Sequence, residues 1–322
     1  MGSDEGDGSD GWSATRAWVE KRQLSSASER IDNVSRLSGG WTSVMRRLDI
    51  TGPDGSRSVV LRSFVRPFFV RHAEGLLTRE ADVLRLLADT DVPAAVLLDV
   101  DATAEFCDRP SLLMSLLPGS VRLDDDDADR RGDLLARQLA AVHRVRVASE
   151  GRPRSYQAWT APDRVSPPAA TERPELWQWA VDVIRREPPS YVPCFLHRDY
   201  HPGNVLFEGA GTDLRIGGVV DWVETSWGPA DLDVAHCSTA LALLHGVPTG
   251  MRFADQYIVA GGSLTNDPAA HLYWRLLDAL AFAPDAEKVA VPWRDLGRTD
   301  LTPAVLANRL EDYIEALLTR YA

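Results

Sequence analysis

Six polar residues between Leu196 and Trp222 have types and spacing that could do chemistry: His197, Arg198, Asp199, His201 and Asn204, then Asp221. The last two flank a pair of short apolar runs, Val205–Phe207 and Gly218–Val220, joined by a Gly-rich turn at Gly209–Gly211, which predicts a β-hairpin. The order H-R-D-Y-H-P-G-N fits H-R-D-x-x-x-x-N, in which a catalytic Asp precedes a metal-binding Asn. Moving a phosphoryl group needs positioning and charge neutralisation more than covalent chemistry. A carboxylate can orient an acceptor hydroxyl and take its proton late, and Asp199 is the candidate. Magnesium prefers oxygen ligands and keeps water, so an amide oxygen from Asn204 and a carboxylate from Asp221 would suffice. His197 reads as a brace for the loop backbone, His201 is open between loop packing and ligand contact, and Pro202-Gly203 is turn punctuation. A lone loop Asp is usually a turn former. The ordered set is what points to chemistry.

The block H-x-D-x-H-P-G-N, followed by Val219-Val220-Asp221-Trp222 and Gly228-Pro229-Ala230-Asp231-Leu232-Asp233, resembles the aminoglycoside phosphotransferase family, small-molecule kinases with a protein-kinase-like fold. The likeness is specific between Leu196 and Asp233 and runs in order over nearly the whole chain. It implies an α+β, bilobal fold. A flexible acidic tail (1–12) would precede a small antiparallel-sheet, nucleotide-binding lobe (13–117) with a hinge at its end. A larger, mainly helical lobe (118–322) would carry catalysis and acceptor binding. ATP, with GTP left open, would bind between the lobes with Mg2+.

The first lobe must position the nucleotide. A helix is expected within Ser13–Ser28, then a strand over Val34–Leu37 and another from Val44. Between these strands Ser38, Gly39 and Gly40 stand where a kinase-like fold places its phosphate-covering loop; paired glycines let backbone N–H groups approach phosphate oxygens. The same glycines alone also read as a hairpin turn. Gly52-Pro53-Asp54-Gly55 predicts a turn between strands Val44–Ile50 and Ser58–Phe64. Arg62 takes the strand position where protein kinases carry a phosphate-holding Lys, and a guanidinium can do that job bidentately; a solvated edge residue is the plain alternative. Leu76, Val83, Leu84 and Leu87 share a helical face over Leu76–Leu87. Glu80 in that helix is the natural partner of Arg62, with Arg79 or Arg85 as the alternative. Strands are expected at Ala95–Val100 and Ser111–Leu117, and Leu113–Gly119 resembles the family's hinge, where the backbone at Ser115 and Leu117 would meet the purine edge.

In the second lobe, Asp124–Asp127 and Asp129 read as acids complementing the dipole of the next helix. That helix is expected over Leu134–Val147 with a stripe of Leu135, Leu139 and Val142, and His143 reads as structural. Glu150–Glu172 lacks periodicity and reads as a long connection. Helices are expected at Trp177–Arg186, Val234–Leu244, Met251–Ala260, Pro268–Ala281 and Pro303–Ala322, with Asp231 and Asp233 capping or bracing the second of these. By the resemblance, acceptor specificity would sit in 150–190 and 245–300. Glu224, Trp227 and Asp255 are the candidate acceptor contacts, because acids suit an amine-bearing molecule.

Of 322 residues, 44% are hydrophobic and 25% charged, ordinary for a globular protein. The net charge of −12 excludes nucleic acid as a partner and suits a cationic small-molecule acceptor through steering. No apolar run reaches the ~20 residues of a membrane span, so a cytoplasmic protein is expected. The three cysteines have no metal-ligand spacing and read as free thiols. The leading reading is an ATP-dependent phosphotransferase acting on a hydroxyl of a small molecule: an aminoglycoside, another antibiotic or a metabolite. The alternatives are a nucleotide-binding regulatory pseudokinase and a protein kinase, the latter weakened because Trp222-Val223, not Phe-Gly, follows Asp221. Acceptor, phosphorylated position, oligomeric state, and resistance versus metabolic role stay open.

Overall fold

A computed structural model describes residues 11–37, 43–53 and 55–322, the side chain of Lys288 excepted. Ser38, Gly39 and Gly40, the expected phosphate-covering turn, lie outside the described residues. The chain divides into two compact units, one comprising Met1–Ala88 and Ala95–Leu116 and the other Asp89–Ala94 and Leu117–Ala322.

The first unit begins with α1 (Ser13–Gln23), β1 (Arg30–Leu37), β2 (Ser43–Gly52) and β3 (Gly55–Phe64), followed by α2 (Pro67–Arg71), α3 (Ala73–Leu87), β4 (Leu97–Asp101) and β5 (Ser111–Ser115). The strands form one antiparallel sheet in the order β1-β2-β3-β5-β4. Trp18 and Val19 of α1 pack against Ile31, Leu48, Ile50, Val59, Leu61 and Leu113 in one apolar cluster. Each fully buried side chain of this size contributes roughly 1.5–3 kcal/mol. The first helix falls within the expected Ser13–Ser28 and ends at Gln23, after which Ser25, Ser26 and Ser28 bond locally and favour turn over helix. Helix α3 starts three residues before the expected Leu76 and buries Leu77, Ala81, Val83, Leu84, Leu87 and Glu80.

The second unit holds α4 (Ala128–His143), α5 (Pro174–Ile184), β6 (Pro193–Leu196), β7 (Val205–Glu208), β8 (Arg215–Val219), β9 (Ser226–Pro229), α6 (Ala230–His245), α7 (Val247–Val259), α8 (Pro268–Ala279), α9 (Glu287–Asp295) and α10 (Pro303–Tyr321). Strands β7 and β8 form the expected hairpin, and β6 pairs antiparallel with β9. Helix α6 is the hub of this unit: every residue from Ala230 to Leu244 is buried. Its leucines join Trp177, Trp274, Leu310, Tyr313 and Ile314 in the larger core.

Helix α4 runs earlier than the expected Leu134–Val147. Its last turn tightens as the N–H of Arg144 bonds to the carbonyl of Ala141 at 3.2 Å, and Val145 and Val147 lie beyond it. The acids before it are more than dipole complements. Asp124 pairs with Arg131 (3.1 Å), Asp125 with His245 (2.7 Å) and Asp129 with Arg252, while Asp127 makes no side-chain cap. Helix α9 escaped the sequence reading because Pro292 sits inside it, a residue that ordinarily argues against a helix interior. No helix among the described residues is long and apolar enough to cross a membrane. Cys107, Cys194 and Cys237 are free thiols.

Candidate active site

The loop between β6 and β7 is held from below by one carboxylate. Both oxygens of Asp233, in the first turn of α6, accept backbone hydrogen bonds, from His197 N–H and Arg198 N–H, each at 2.8 Å. His143 Nε2 donates to the same carboxylate at 3.1 Å, and Tyr257 Oη donates to His143 Nδ1 at 2.7 Å. Burial pushes the Asp233 pKa up, but the His143 bond and neighbouring positive groups outweigh it and hold the pKa below its ordinary value. Asp233 therefore braces the loop and not, as the sequence suggested, its own helix. Arg198 has a φ of 73°, a left-handed conformation that costs a non-glycine residue energy and persists only where surroundings enforce it. Asp233 does the enforcing.

His197 then ties the loop to the hairpin. Its Nδ1 accepts from the Asp199 N–H at 3.2 Å, so Nε2 carries the proton and donates to the Val220 carbonyl at 2.9 Å. Burial holds the ring neutral by lowering its pKa. Trp222 covers it, ring centroids 4.4 Å apart. Tyr200 pins the loop to α4 through its hydroxyl, which donates to the Leu135 carbonyl at 3.0 Å.

Asn204 and Asp199 are directly joined. Asn204 Nδ2 donates to the Asp199 carbonyl (2.8 Å) and to its Oδ2 (3.0 Å). With its NH2 group so committed, the amide presents its oxygen as the group for a cation. The Asn204 carbonyl accepts from Val220 N–H at 3.0 Å, which sets Asn204 beside the residue preceding Asp221. Asp221 itself has a φ of 64°, a second left-handed non-glycine residue in the site. An amide oxygen and a carboxylate are hard oxygen donors of the kind magnesium takes, so Asn204 and Asp221 are residues that could hold that ion.

The other oxygen of Asp199 meets imidazoles. His236 Nε2 on α6 lies 3.1 Å from Asp199 Oδ1, and His201 Nε2 lies 3.8 Å from it. Burial works against the carboxylate, yet the His236 hydrogen bond and the surrounding imidazoles hold its pKa below the ordinary Asp value. Ligand atoms of Asp199, His201 and His236 lie within 4.8 Å of one another, a spacing a metal could bridge. The hydrogen bonds make a metal cage the poorer reading. His201 Nδ1 accepts from Gly203 N–H at 3.0 Å, leaving the proton on Nε2, and His236 faces a carboxylate on each nitrogen. Burial lowers the His201 pKa to about 4, so that ring is neutral near pH 7.

The remaining sequence candidates divide. In the N-terminal unit, Arg62 Nη1 meets Glu80 Oε1 at 2.9 Å and Oε2 at 3.0 Å, both side chains buried. Arg85 pairs instead with Asp82 (2.7 Å). Ser115 closes the sheet, its N–H donating to the Val96 carbonyl at 2.9 Å, so that donor is spent within its own unit. Leu117 lies against the hairpin, where a Cβ on Gly218 would come within 2.7 Å of its Cδ1 and oblige the leucine to shift. Glu224 pairs with Arg154 at 2.5 Å, and Trp227 carries Arg152 over its ring at 4.8 Å. Asp255 is held by Arg320 at 2.8 and 3.0 Å. Each acid thus already faces a guanidinium, Glu224 that of Arg154 and Asp255 that of Arg320.

Sequence reasoning missed His236, Asp278 and Trp159. His236 falls three residues after Asp233, hence on the same helix face, and a lone imidazole in so apolar a run was the available signal. The connection before α5 runs along β9 and over the loop: Trp227 N–H donates to the Arg154 carbonyl (2.8 Å), Arg198 Nη2 donates to the Gln157 carbonyl (3.0 Å), and Arg198 lies over the Trp159 ring at 4.4 Å.

Residues 33–275 match the family model described as the phosphotransferase enzyme family, the greater part of the chain. The chain belongs to the phosphotransferase enzyme family. Solved structures similar to this family member include the GDP complex of aminoglycoside 2'-phosphotransferase-IIIa, at 16% identity and a TM-score of 0.63, covering 94% of this chain and 98% of that one. Another is a thermostable mutant of aminoglycoside phosphotransferase APH(4)-Ia with AMP-PNP and hygromycin B, at 15% identity and a TM-score of 0.61, covering 95% and 98%. These likenesses show the kinase-like α+β fold. Acyl-CoA dehydrogenase family member 10 of Mus musculus is 24% identical over 215 residues, a match that takes in 61% of this chain and 20% of that protein. The chain thus spans about a fifth of the length of that relative.

Proposed function

We propose that this phosphotransferase moves the γ-phosphoryl group of ATP to a hydroxyl of a small molecule. The observation that carries the reading is the Asn204–Asp199 junction, with Asp221 one residue beyond the Val220 N–H that Asn204 accepts. Asp199 would accept a hydrogen bond from the acceptor hydroxyl and orient its oxygen in line with phosphorus. As the new oxygen–phosphorus bond forms and the bond to the β-phosphate oxygen breaks, the hydroxyl proton passes to Asp199 and later to solvent. A carboxylate kept ionised by its neighbours is a weak base, which suits a transfer whose proton leaves late. Asn204 and Asp221 would hold Mg2+, which when bound neutralises phosphate charge. Arg62, fixed by Glu80, is the candidate for the nucleotide's phosphates, and the stretch around Leu117 for its base. The AMP-PNP bound in one similar structure supports ATP, and the GDP bound in another makes GTP the second donor to test.

The acceptor class rests on those similar structures, which are aminoglycoside phosphotransferases, one of them with hygromycin B bound. The paired states of Glu224 and Asp255 supply no separate support for a polyamine. We place the enzyme in the cytosol, a reading that its three free thiols support. The test is an ATP- and GTP-consumption screen with magnesium over aminoglycosides, macrolides, peptide antibiotics and metabolite alcohols. Acceptor-dependent turnover establishes the activity and names the class. Nucleotide binding without turnover on any acceptor would favour a regulatory pseudokinase instead.

A further inference from the structure

Helix α6 is buried along its length, yet it carries an imidazole that is only 3% exposed and bonded on both nitrogens. His236 Nδ1 lies 3.0 Å from Asp278 Oδ1 on α8, and Nε2 lies 3.1 Å from Asp199 Oδ1. Asp278 is 4% exposed, and its Oδ2 has no hydrogen-bond partner among the described residues. Burying an ion is costly, and a well-packed apolar residue of similar volume would stabilise a core at least as well. A buried, incompletely bonded Asp behind a His is therefore a poor packing solution. It is a good way to hold the group in front of that His.

The ring is fixed on its other sides. Trp159 meets it edge-on at 4.8 Å, Phe282 stacks on it at 5.6 Å, and the His201 ring lies at 5.7 Å. The far end of the chain is the Asp199 carboxylate, whose second oxygen is taken by Asn204 at 3.0 Å. We infer that Asp278 and His236 are positioning residues, a carboxylate–imidazole–carboxylate chain that fixes the orientation of Asp199. Each Asp199 oxygen then keeps one bond from the protein, His236 on one and Asn204 on the other. With 32% of the side chain exposed, its remaining lone pairs are the ones an acceptor hydroxyl can reach.

The charges agree with the geometry. Burial alone would favour a neutral ring, but Asp278 and then Asp199 outweigh it and raise the His236 pKa to about 9. The groups packed about the ring are Asp199 and His201 from the loop, Asp278 from α8, Phe282 after it, and Trp159, over whose ring Arg198 lies. At neutral pH the His236 ring therefore holds a proton on each nitrogen, one facing Asp278 and the other the ionised Asp199.

This inference rests on the proposed kinase reading, so its test has one arm that needs no activity. In the first arm, nitrogen NMR of the His236 ring is followed from pH 6 to 10 in the full chain and in its Asp199→Asn and Asp278→Asn variants. The expected result is a doubly protonated ring at pH 7.5 whose titration midpoint falls by about one unit or more in each variant. A neutral ring at pH 7.5, or a midpoint unmoved in Asp199→Asn, overturns the inference.

In the second arm, magnesium-ATP turnover is measured with water as acceptor, and with any acceptor found, for wild type, His236→Leu and His236→Gln. His236→Leu should lower kcat about 10- to 100-fold with KM for ATP unchanged. His236→Gln, which keeps an N–H for Asp199, should recover part of the loss. Wild-type kcat should change as pH rises through about 9, and that limb should vanish in His236→Leu. A folded His236→Leu protein with wild-type kcat and pH profile overturns the inference. If the wild type itself turns over no ATP, the kinase reading fails and the NMR arm alone decides.

Discussion

Asn204 Nδ2 bonds both the carbonyl and the Oδ2 of Asp199, at 2.8 and 3.0 Å, so the candidate metal ligand and the candidate base form one rigid unit. Removing the amide should disturb both at once. Asn204→Ala is expected to lower kcat at least about a hundredfold and to raise the magnesium concentration required for half-maximal rate. Steady-state kinetics over a magnesium titration checks this; a loss of kcat with no change in the magnesium requirement would separate Asn204 from the metal.

Asp233 should matter first for stability. It is fully buried, accepts from two backbone N–H groups and is bonded to His143. Asp233→Ala would leave those donors unsatisfied, at about 3–5 kcal/mol, measurable by urea denaturation. Its pKa is lowered in the folded protein, so its contribution is present above the unfolded value near 4 and fades as pH falls through the folded value. The wild-type minus variant difference in unfolding free energy should therefore be full at pH 7 and shrink progressively as pH is taken below about 4.

The Arg62–Glu80 pair is buried on both sides, with 7% and 2% of the side chains exposed. Glu80→Gln should cost about 3–5 kcal/mol by removing the buried carboxylate that faces the guanidinium. Arg62→Lys keeps the charge but loses the planar fork, and should raise KM for ATP more than it lowers kcat. Equilibrium denaturation and ATP-dependence curves distinguish the two effects.

Asp255 should prove dispensable. It sits in an exposed pair with Arg320, 39% and 56% of the side chains accessible, a type worth about 0–1 kcal/mol. Asp255→Asn should leave acceptor KM unchanged. A large rise would return that acid to the acceptor site.

What could be read from the residues alone divides along physical lines. Short-range signals survived folding: the Val205–Val219 hairpin, the strands about Gly52-Pro53, the apolar face of α3 and the helix from Pro268 all formed where pattern and turn chemistry put them. Asp199, Asn204 and Asp221 could be picked out because the loop fixes their spacing locally. Asp278 could not, since it lies 79 residues after Asp199 in the chain and only the packing of α6 on α8 brings it to His236. Trp159 was hidden for a similar reason: an aperiodic connection says nothing of where it will lie. Glu224 and Asp255 were chosen for charge, and charge alone does not disclose that Arg154 and Arg320 already neutralise them.

We propose that Asp199 directs a phosphoryl group from ATP to a small-molecule hydroxyl. The most direct measurement is phosphorus NMR of reactions containing the full chain, ATP, magnesium and a panel of hydroxylated acceptors, run beside folded Asp199→Ala protein. The expected result is a new phosphomonoester signal that depends on one acceptor class and forms about 10²- to 10⁴-fold more slowly in the variant. A phosphomonoester formed equally fast by Asp199→Ala, or bound ATP that stays intact with every acceptor, would contradict it.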